Sequence, residues 1–371
     1  MTRQNAPASP SFMLFAIALL LSSTPRPSHA QDPAPYTLLV YTNLIQIPTL
    51  VVTSDLKQLP PIPLKNFNIS LDEGSPFHPT RVHREGDDPI DLAILLDASD
   101  DQNILIKNIG ATLDTLIPSY LHPEDHVSIF ALDCTLIRSF DDLPANAANL
   151  HLGVTAVLAS PKLHGTKTHS ACANQLHLWD AMARISVGLA NRPGRRVLLA
   201  VSDGRDTAST SKEYDLSQLL SSESIALFAL QDTFSFNGNF ATSLSETRLS
   251  RHFAMGTDSS EDIFRELCQN NGGTTLPTSP DDLKRNLQNV ITMLRNRYIL
   301  EFPRANNSEP GLHNINVTIP DPTAFIAITG VIVPLPDTKL LADPTTVPTT
   351  TPSQVIFGNH RPLNPTQEPH P

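Results

Sequence analysis

The chain has 371 residues, a formal net charge of −11 at pH 7 and 3 cysteines. An acidic balance of this size argues against nucleic acid and anionic lipid headgroups as partners, because neither presents a surface such a protein would seek. Three cysteines are too few for a disulfide scaffold, and the odd number leaves at least one unpaired.

The first thirty residues read as a signal peptide. Arg3 supplies a basic start, Phe12 to Leu21 is an apolar run, and Ser28-His-Ala30 offers a small-x-small cleavage site before Gln31. That run is too short to span a bilayer, which needs about 20 apolar residues. The mature chain is therefore expected to be secreted or periplasmic, with no membrane span. Cleavage removes Arg3 and Arg26 and no acidic residue, which moves the charge to about −13 (−11 minus 2).

A β-rich lead-in region is predicted over 36–88. Tyr36 to Thr42, Ile45 to Thr53 and Phe67 to Gly74 alternate apolar and polar residues between Pro and Gly punctuation. From 89 to 303 strands and helices alternate. Asp91 to Asp97 is a continuous apolar run of the kind found in a strand buried on both faces. Ile104, Leu105, Ile109, Leu113, Leu116 and Ile117 recur at helical spacing. His126 to Asp133 reads as the next strand, with Cys134 to Phe140 as its hairpin partner. Leu176 to Leu189 reads as a helix, Val197 to Asp203 and Ile225 to Gln231 as strands, and Asp262 to Cys268 as a helix ended by Gly272-Gly273. Asp281 to Tyr298 is the last long helix. Such alternation implies an α/β fold with a mostly parallel sheet covered on both faces.

Three further strands are predicted at Tyr298 to Pro303, His313 to Ile319 and Ala324 to Pro334. The first could close the main sheet, and the others, over 304–335, could pair with the lead-in region. The segment 336–371 is dominated by Pro, Thr, Asn and Gln and reads as a disordered tail. Cys134 in its strand-like run and Cys172 in a polar loop allow a bond between them. Cys268 follows Ile263, Phe264 and Leu267 on a helical face and reads as a buried thiol.

Two apolar strands end in oxygen-bearing side chains. Leu96-Asp-Ala-Ser-Asp-Asp101 places Asp97, Ser99 and Asp101 at alternate positions, and Val201-Ser-Asp-Gly follows the second strand with Asp203. Aspartates at the carboxyl ends of neighbouring strands are what an open α/β sheet needs to hold a hard cation. The first phrase resembles the Asp-x-Ser-x-Ser opening of a von Willebrand factor type A domain. Val201 to Thr207 resembles its Ser/Thr-Asp-Gly segment, and Leu178-Trp-Asp-Ala-Met182 resembles the helix after its threonine loop. The chain also resembles the secreted "VWFA-related" proteins of acidobacteria through Phe67 to Gly74, Gly272-Gly273, Tyr298 to Pro303 and His313 to Val317. The resemblance covers about 36–334.

That resemblance implies a Rossmann-like von Willebrand type A domain over 89–303. It implies a metal-ion-dependent adhesion site holding Mg²⁺ or another divalent cation through Asp97, Ser99, Asp101 and Asp203, and a partner protein that contacts the metal through an acidic residue. Two departures are visible. Asp101 stands where the family has a second serine, and the threonine position falls on Leu176, which cannot coordinate a cation. Thr166, Thr168 or Ser170 could substitute in a longer loop. The alternative is a degenerate loop whose carboxylates cap the following helix.

Other patterns are weaker. Asp97-x-Ser-x-Asp101 also opens like an EF-hand, but Gln102 and Asn108 stand where that loop needs Gly and Glu. His164, His169, Cys172 and His177 match no compact zinc spacing. Asp206 reads as a solvated turn residue and Trp179 as core. No nucleophile elbow, zinc-protease helix, phosphate loop or dinucleotide fingerprint is present, so no enzymatic activity is expected. The functional expectation is an exported protein-binding module using a degenerate cation site. The alternative is a metal-independent structural or assembly scaffold of the cell envelope.

Overall fold

The structure, a computed structural model, describes residues 44–99, 104–160, 175–232, 260–303, 311–329 and 332–333. The expected signal peptide, the run Tyr36 to Thr42, Asp101, the His164–Cys172 loop and the tail 336–371 lie outside the described residues. In chain order, β1 (Leu44–Thr53), β2 (Asn68–Leu71) and β3 (Arg81–Arg84) precede β4 (Ile90–Asp97) and α1 (Ile104–Leu113). Next come β5 (His126–Leu132), β6 (Leu136–Pro144), α2 (Ala147–Leu158) and α3 (Leu178–Leu189). The alternation continues through β7 (Arg195–Val201), α4 (Glu213–Ser222), β8 (Ala226–Asp232), α5 (Ser260–Asn270), β9 (Thr275–Thr278) and α6 (Leu283–Arg295). It ends with β10 (Tyr298–Pro303), β11 (Gly311–Leu312), β12 (Ile315–Thr318), β13 (Ala324–Ile328) and β14 (Ile332–Val333).

Six strands form the main sheet in the order β6-β5-β4-β7-β8-β9. All neighbours are parallel except the β5–β6 hairpin. The expected mostly parallel sheet with helices on both faces is therefore what forms. Every residue of β4 is buried because alternate side chains enter different cores. Leu92, Ile94 and Leu96 pack with α1, α2 and α6, while Ala93 and Leu95 pack with α3, α4 and α5. Burying each such Leu or Ile contributes roughly 1.5–3 kcal/mol. Going along the chain, the sheet grows outward from β4 first on one side and then on the other. The reversal lies between β4 and β7, and a crevice outside their carboxyl ends is where open α/β sheets bind ligands.

Tyr298–Pro303 does not close this sheet. As β10 it sits between β1 and β3 in a second, antiparallel sheet ordered β13-β1-β10-β3. The reason is its period-two face: Tyr298, Leu300 and Phe302 bury against Ile45, Ile47, Phe67 and Ile69 of the lead-in region. The expected pairing of the later strands with the lead-in does form, through β13 with β1 and β12 with β2. Between the sheets, α6 ends in Arg295, whose guanidinium donates to Tyr120 O, Gly86 O and Asp125 Oδ2.

Candidate metal centre at the carboxyl edge of the main sheet

Asp97 is the last residue of β4 and is 4% exposed. The Ser99 hydroxyl donates to its Oδ1 at 2.6 Å, as does the Ser99 backbone N–H at 3.2 Å. Ser202, just past β7, donates its hydroxyl to Asp97 Oδ2 at 2.7 Å. Both carboxylate oxygens are thus held from two strand ends. Even so, burial pushes the Asp97 carboxyl above its ordinary value, against the lowering effect of the two serines, and the neighbouring charge of Asp203 adds to the rise.

Asp203 is positioned by its own backbone. Its carbonyl accepts from the Nε2 of buried Gln231, at the end of β8, at 3.0 Å. Its carboxylate takes the backbone N–H of Arg205 at 2.9 Å and the Arg205 Nε at 2.5 Å. Between them, Gly204 has φ +84°, and a Cβ there would collide with the Phe264 ring. Only glycine satisfies both the backbone conformation and the packing.

The structure brings together Asp97, Ser99 and Asp203 of the expected ligand set, while Asp101 lies outside the described residues. It adds Ser202, which sequence reasoning quoted inside the Ser-Asp-Gly phrase without giving it a role. Leu176 is 3% exposed and belongs to the core beneath α3. Its backbone is tied to the loop after β7, donating to Thr207 Oγ1 at 2.8 Å and accepting from Thr207 and Ala208. Thr166, Thr168 and Ser170 lie outside the described residues. Asp206 is not a solvated turn residue. It accepts from the Trp179 N–H at 3.1 Å and so satisfies the first turn of α3. Trp179 is core, 7% exposed and 5.9 Å from Phe264, ring to ring.

The donor set suits a hard divalent cation, being carboxylate and hydroxyl oxygen throughout. A serine hydroxyl that donates its proton to Asp97 keeps two lone pairs for another purpose. Two features oppose the fit: the apolar Leu176 and the guanidinium already resting on Asp203. The residues therefore fit a weak, hydrated cation better than a tightly caged one.

Strand ends bearing Asp-x-Ser and Ser-Asp-Gly thus meet where the strand order reverses, in a parallel sheet with an antiparallel edge. The sheet order is that of an open, Rossmann-like α/β fold with one antiparallel edge strand. No protein-family model matches the chain, and no curated protein matches it. Similar solved structures include von Willebrand factor type A from Catenulispora acidiphila, at 10% identity over 71% of this chain and 62% of that one, with a TM-score of 0.39. An aerotolerance-related membrane protein from Bacteroides fragilis matches at 12% identity over 55% of this chain and 98% of its own, with a TM-score of 0.38. Proximal thread matrix protein 1 from the mussel byssus, with a zinc-occupied MIDAS motif, matches at 13% identity over 57% and 49%, with a TM-score of 0.39. At this level of likeness none of them bears on the activity of this chain, and the fold class stands on the sheet order itself.

A second group of metal-type ligands lies at the opposite edge. Asp91, His126 and Asp142 each bring one ligand atom within 4.8 Å of the others. Arg192 stands among them, with Nη1 3.1 Å from Asp142 and 3.7 Å from Asp91, and it also pairs with Asp141. A guanidinium already supplies the positive charge there. Of the cysteines, Cys134 is disulfide-bonded. Cys268 is a buried free thiol, pushed upward in pKa by burial.

Proposed function

We propose that the protein is an exported protein-interaction module whose contact surface is the carboxyl edge of the main sheet. Asp97, Ser99 and Asp203, with Asp101, bind a divalent cation there, Mg²⁺ being the reference case. The observation that carries this reading is Asp97: a buried carboxylate beside a second carboxylate, oriented by hydroxyls rather than by a cationic side chain. Two like charges in a half-dry crevice favour a positive guest. A bound cation would supply an open coordination position for an Asp or Glu of the partner protein. Ser99 and Ser202 fix both oxygens of Asp97, and Gln231 fixes the backbone of Asp203. Arg205 is 60% exposed at its side chain, so it screens Asp203 without closing the crevice.

Export is supported by the first thirty residues and by the disulfide at Cys134, since such bonds persist in oxidising compartments. Among the described residues no helix is long and apolar enough to cross a membrane. The second reading, a metal-independent scaffold of the cell envelope, is favoured by Leu176 in the core and Arg205 on Asp203. We read neither version as an enzyme.

Calorimetric titration of Mg²⁺, Mn²⁺ and Ca²⁺ into the purified protein separates the two. Saturable binding near one ion per chain, abolished in Asp203→Ala, is expected. Absence of binding by all three ions would overturn the cation-dependent reading and leave the scaffold.

A further inference from the structure

The other edge of the molecule holds a cavity of about 480 Å³ between the α3–β7 loop and the second sheet. Its lining gathers Arg192, Arg195, Arg196 and Arg297, with Asp88 the only carboxylate among the lining residues. In a chain of net charge −11 this concentration of guanidinium groups is local and built by the fold. Arg195 and Arg196 open β7, and the preceding turn at Gly194 has φ +85° and lies so close to Pro89 O that a Cβ would fall 2.9 Å from it. The Arg195 N–H donates to the same carbonyl at 2.9 Å.

Most of these arginines are braced by carboxylates. Glu85, itself buried and outside the lining, accepts from Arg297 Nε at 2.9 Å and Nη2 at 2.8 Å. Arg195 Nη2 pairs with Asp88 at 3.1 Å, and Arg192 pairs with Asp141 and Asp142. Donors remain. Arg297 is 2% exposed, and the one guanidinium nitrogen that Glu85 does not take, Nη1, has no hydrogen-bond partner. A buried unsatisfied donor of this kind is uncommon enough in native structures to need a reason. Arg196 gives only its Nη1, to Ala190 O at 2.7 Å, and burial lowers its pKa despite the charges of Glu223 and Asp91. Its positive charge is thus held at some cost.

We propose that this cavity is a binding site for a small oxyanion, a phosphate or carboxylate group taken by Arg196 and Arg195 with Arg297 behind them. The planar fork of guanidinium donors matches such groups two oxygens at a time. The volume lies within the range of small-molecule pockets, roughly 300–1,000 Å³.

The test is calorimetric titration of inorganic phosphate, and separately citrate, into the full-length protein at fixed ionic strength. The variants are Arg196→Gln and Arg285→Gln, the second being an exposed arginine on α6 outside the lining. We expect saturable binding of at least one anion, weakened tenfold or more in Arg196→Gln and unchanged in Arg285→Gln. Tighter phosphate binding assigns a phosphoryl ligand, and tighter citrate binding a carboxylate ligand. Arg196→Gln also gives up the bond to Ala190 O, so its melting temperature without anion is measured beside the parent's, and Arg195→Gln, at the other lining guanidinium, should weaken the same anion in parallel. No saturable binding of either anion, or equal weakening by Arg196→Gln and Arg285→Gln, overturns the proposal.

Discussion

The two edges of the main sheet treat buried charge differently. At the amino edge, carboxylates meet guanidinium groups: Glu85 takes Arg297, Asp125 takes Arg295, and Asp91 faces Arg192. At the carboxyl edge Asp97 meets two hydroxyls and the like charge of Asp203. Ion pairs at the amino edge tie together segments far apart in sequence, as Glu85 and Arg297 do across 212 positions. The lesson is that the same residue type, aspartate or glutamate at a strand end, is structural where its charge is cancelled in place and available for chemistry where it is not.

Breaking the strongest pair should have the largest effect. Arg297→Met leaves buried Glu85 with only the longer contact to Arg195 Nε, 3.6 Å away, and is expected to lower stability by about 3–5 kcal/mol in urea unfolding. Glu85→Met in the same chain should restore much of that loss, because the penalty lies in a buried charge that Arg195 alone compensates poorly. An Arg297→Met cost below that of any serine substitution at the other edge would dissolve the contrast.

Ser202→Ala tests that other edge. It removes one of the two hydroxyls on Asp97 and should cost about 1–3 kcal/mol, the penalty for leaving a buried acceptor unsatisfied. It should also weaken any cation binding, since Oδ2 of Asp97 would no longer be held in place. Stability lost with cation affinity unchanged would mean that Asp97 is fixed from β4 alone.

How far these edges could be read from sequence follows from where their information lies. β4 and β7 were legible because a strand buried on both faces writes a continuous apolar run, and their terminal Asp97 and Asp203 stood out against it. β10 is legible as a strand, but its Tyr298-Leu300-Phe302 face identifies a core and not which core, so the expected place closing the main sheet is not the one it takes. Helix α2 went unread because its run from Ala147 to Leu158 carries no charged residue to mark an outer face, and its Asn146 cap, which accepts from Asn149 N–H, blends into a polar turn. Helix α4 went unread for the opposite reason, having few apolar positions beyond Leu216 and Leu220. The role of Ser202 depends on β4 and β7 lying side by side, and the Glu85–Arg297 pair on the lead-in meeting the end of α6. Neither leaves a local pattern.

A pH experiment sharpens the amino edge. Asp91 is pushed up to about 6, chiefly by burial, with Arg192 only partly offsetting it. Its longer separation from Arg192, 3.7 Å, accounts for the weak compensation. The folded protein therefore keeps a proton there that the unfolded chain releases near its ordinary value of 3.8. The resulting penalty is absent below about pH 4 and fully present above about pH 6, so stability falls as pH rises through that window. After allowance for solvent screening the fall should be about 1–2 kcal/mol. Asp91→Asn should flatten that part of the stability profile, measured as urea midpoints at pH 4 and pH 6.5. An unchanged slope would place the titration elsewhere.

The smallest effect on stability, and the most direct probe of the contrast, comes from Arg205→Gln. The Arg205 side chain is 60% exposed, so its pair with Asp203 should contribute at most about 1 kcal/mol, and unfolding midpoints should barely move. Its effect on cation affinity should be easier to see. Removing a guanidinium that competes for Asp203 should tighten Mn²⁺ or Mg²⁺ binding about two- to fivefold, the equivalent of roughly 0.4–1 kcal/mol. If the parent binds no cation and Arg205→Gln does, then Arg205 is the carboxyl edge's own built-in cation. The two edges would then differ in degree only, with one set of guanidinium groups buried and the other displaceable from the solvent side.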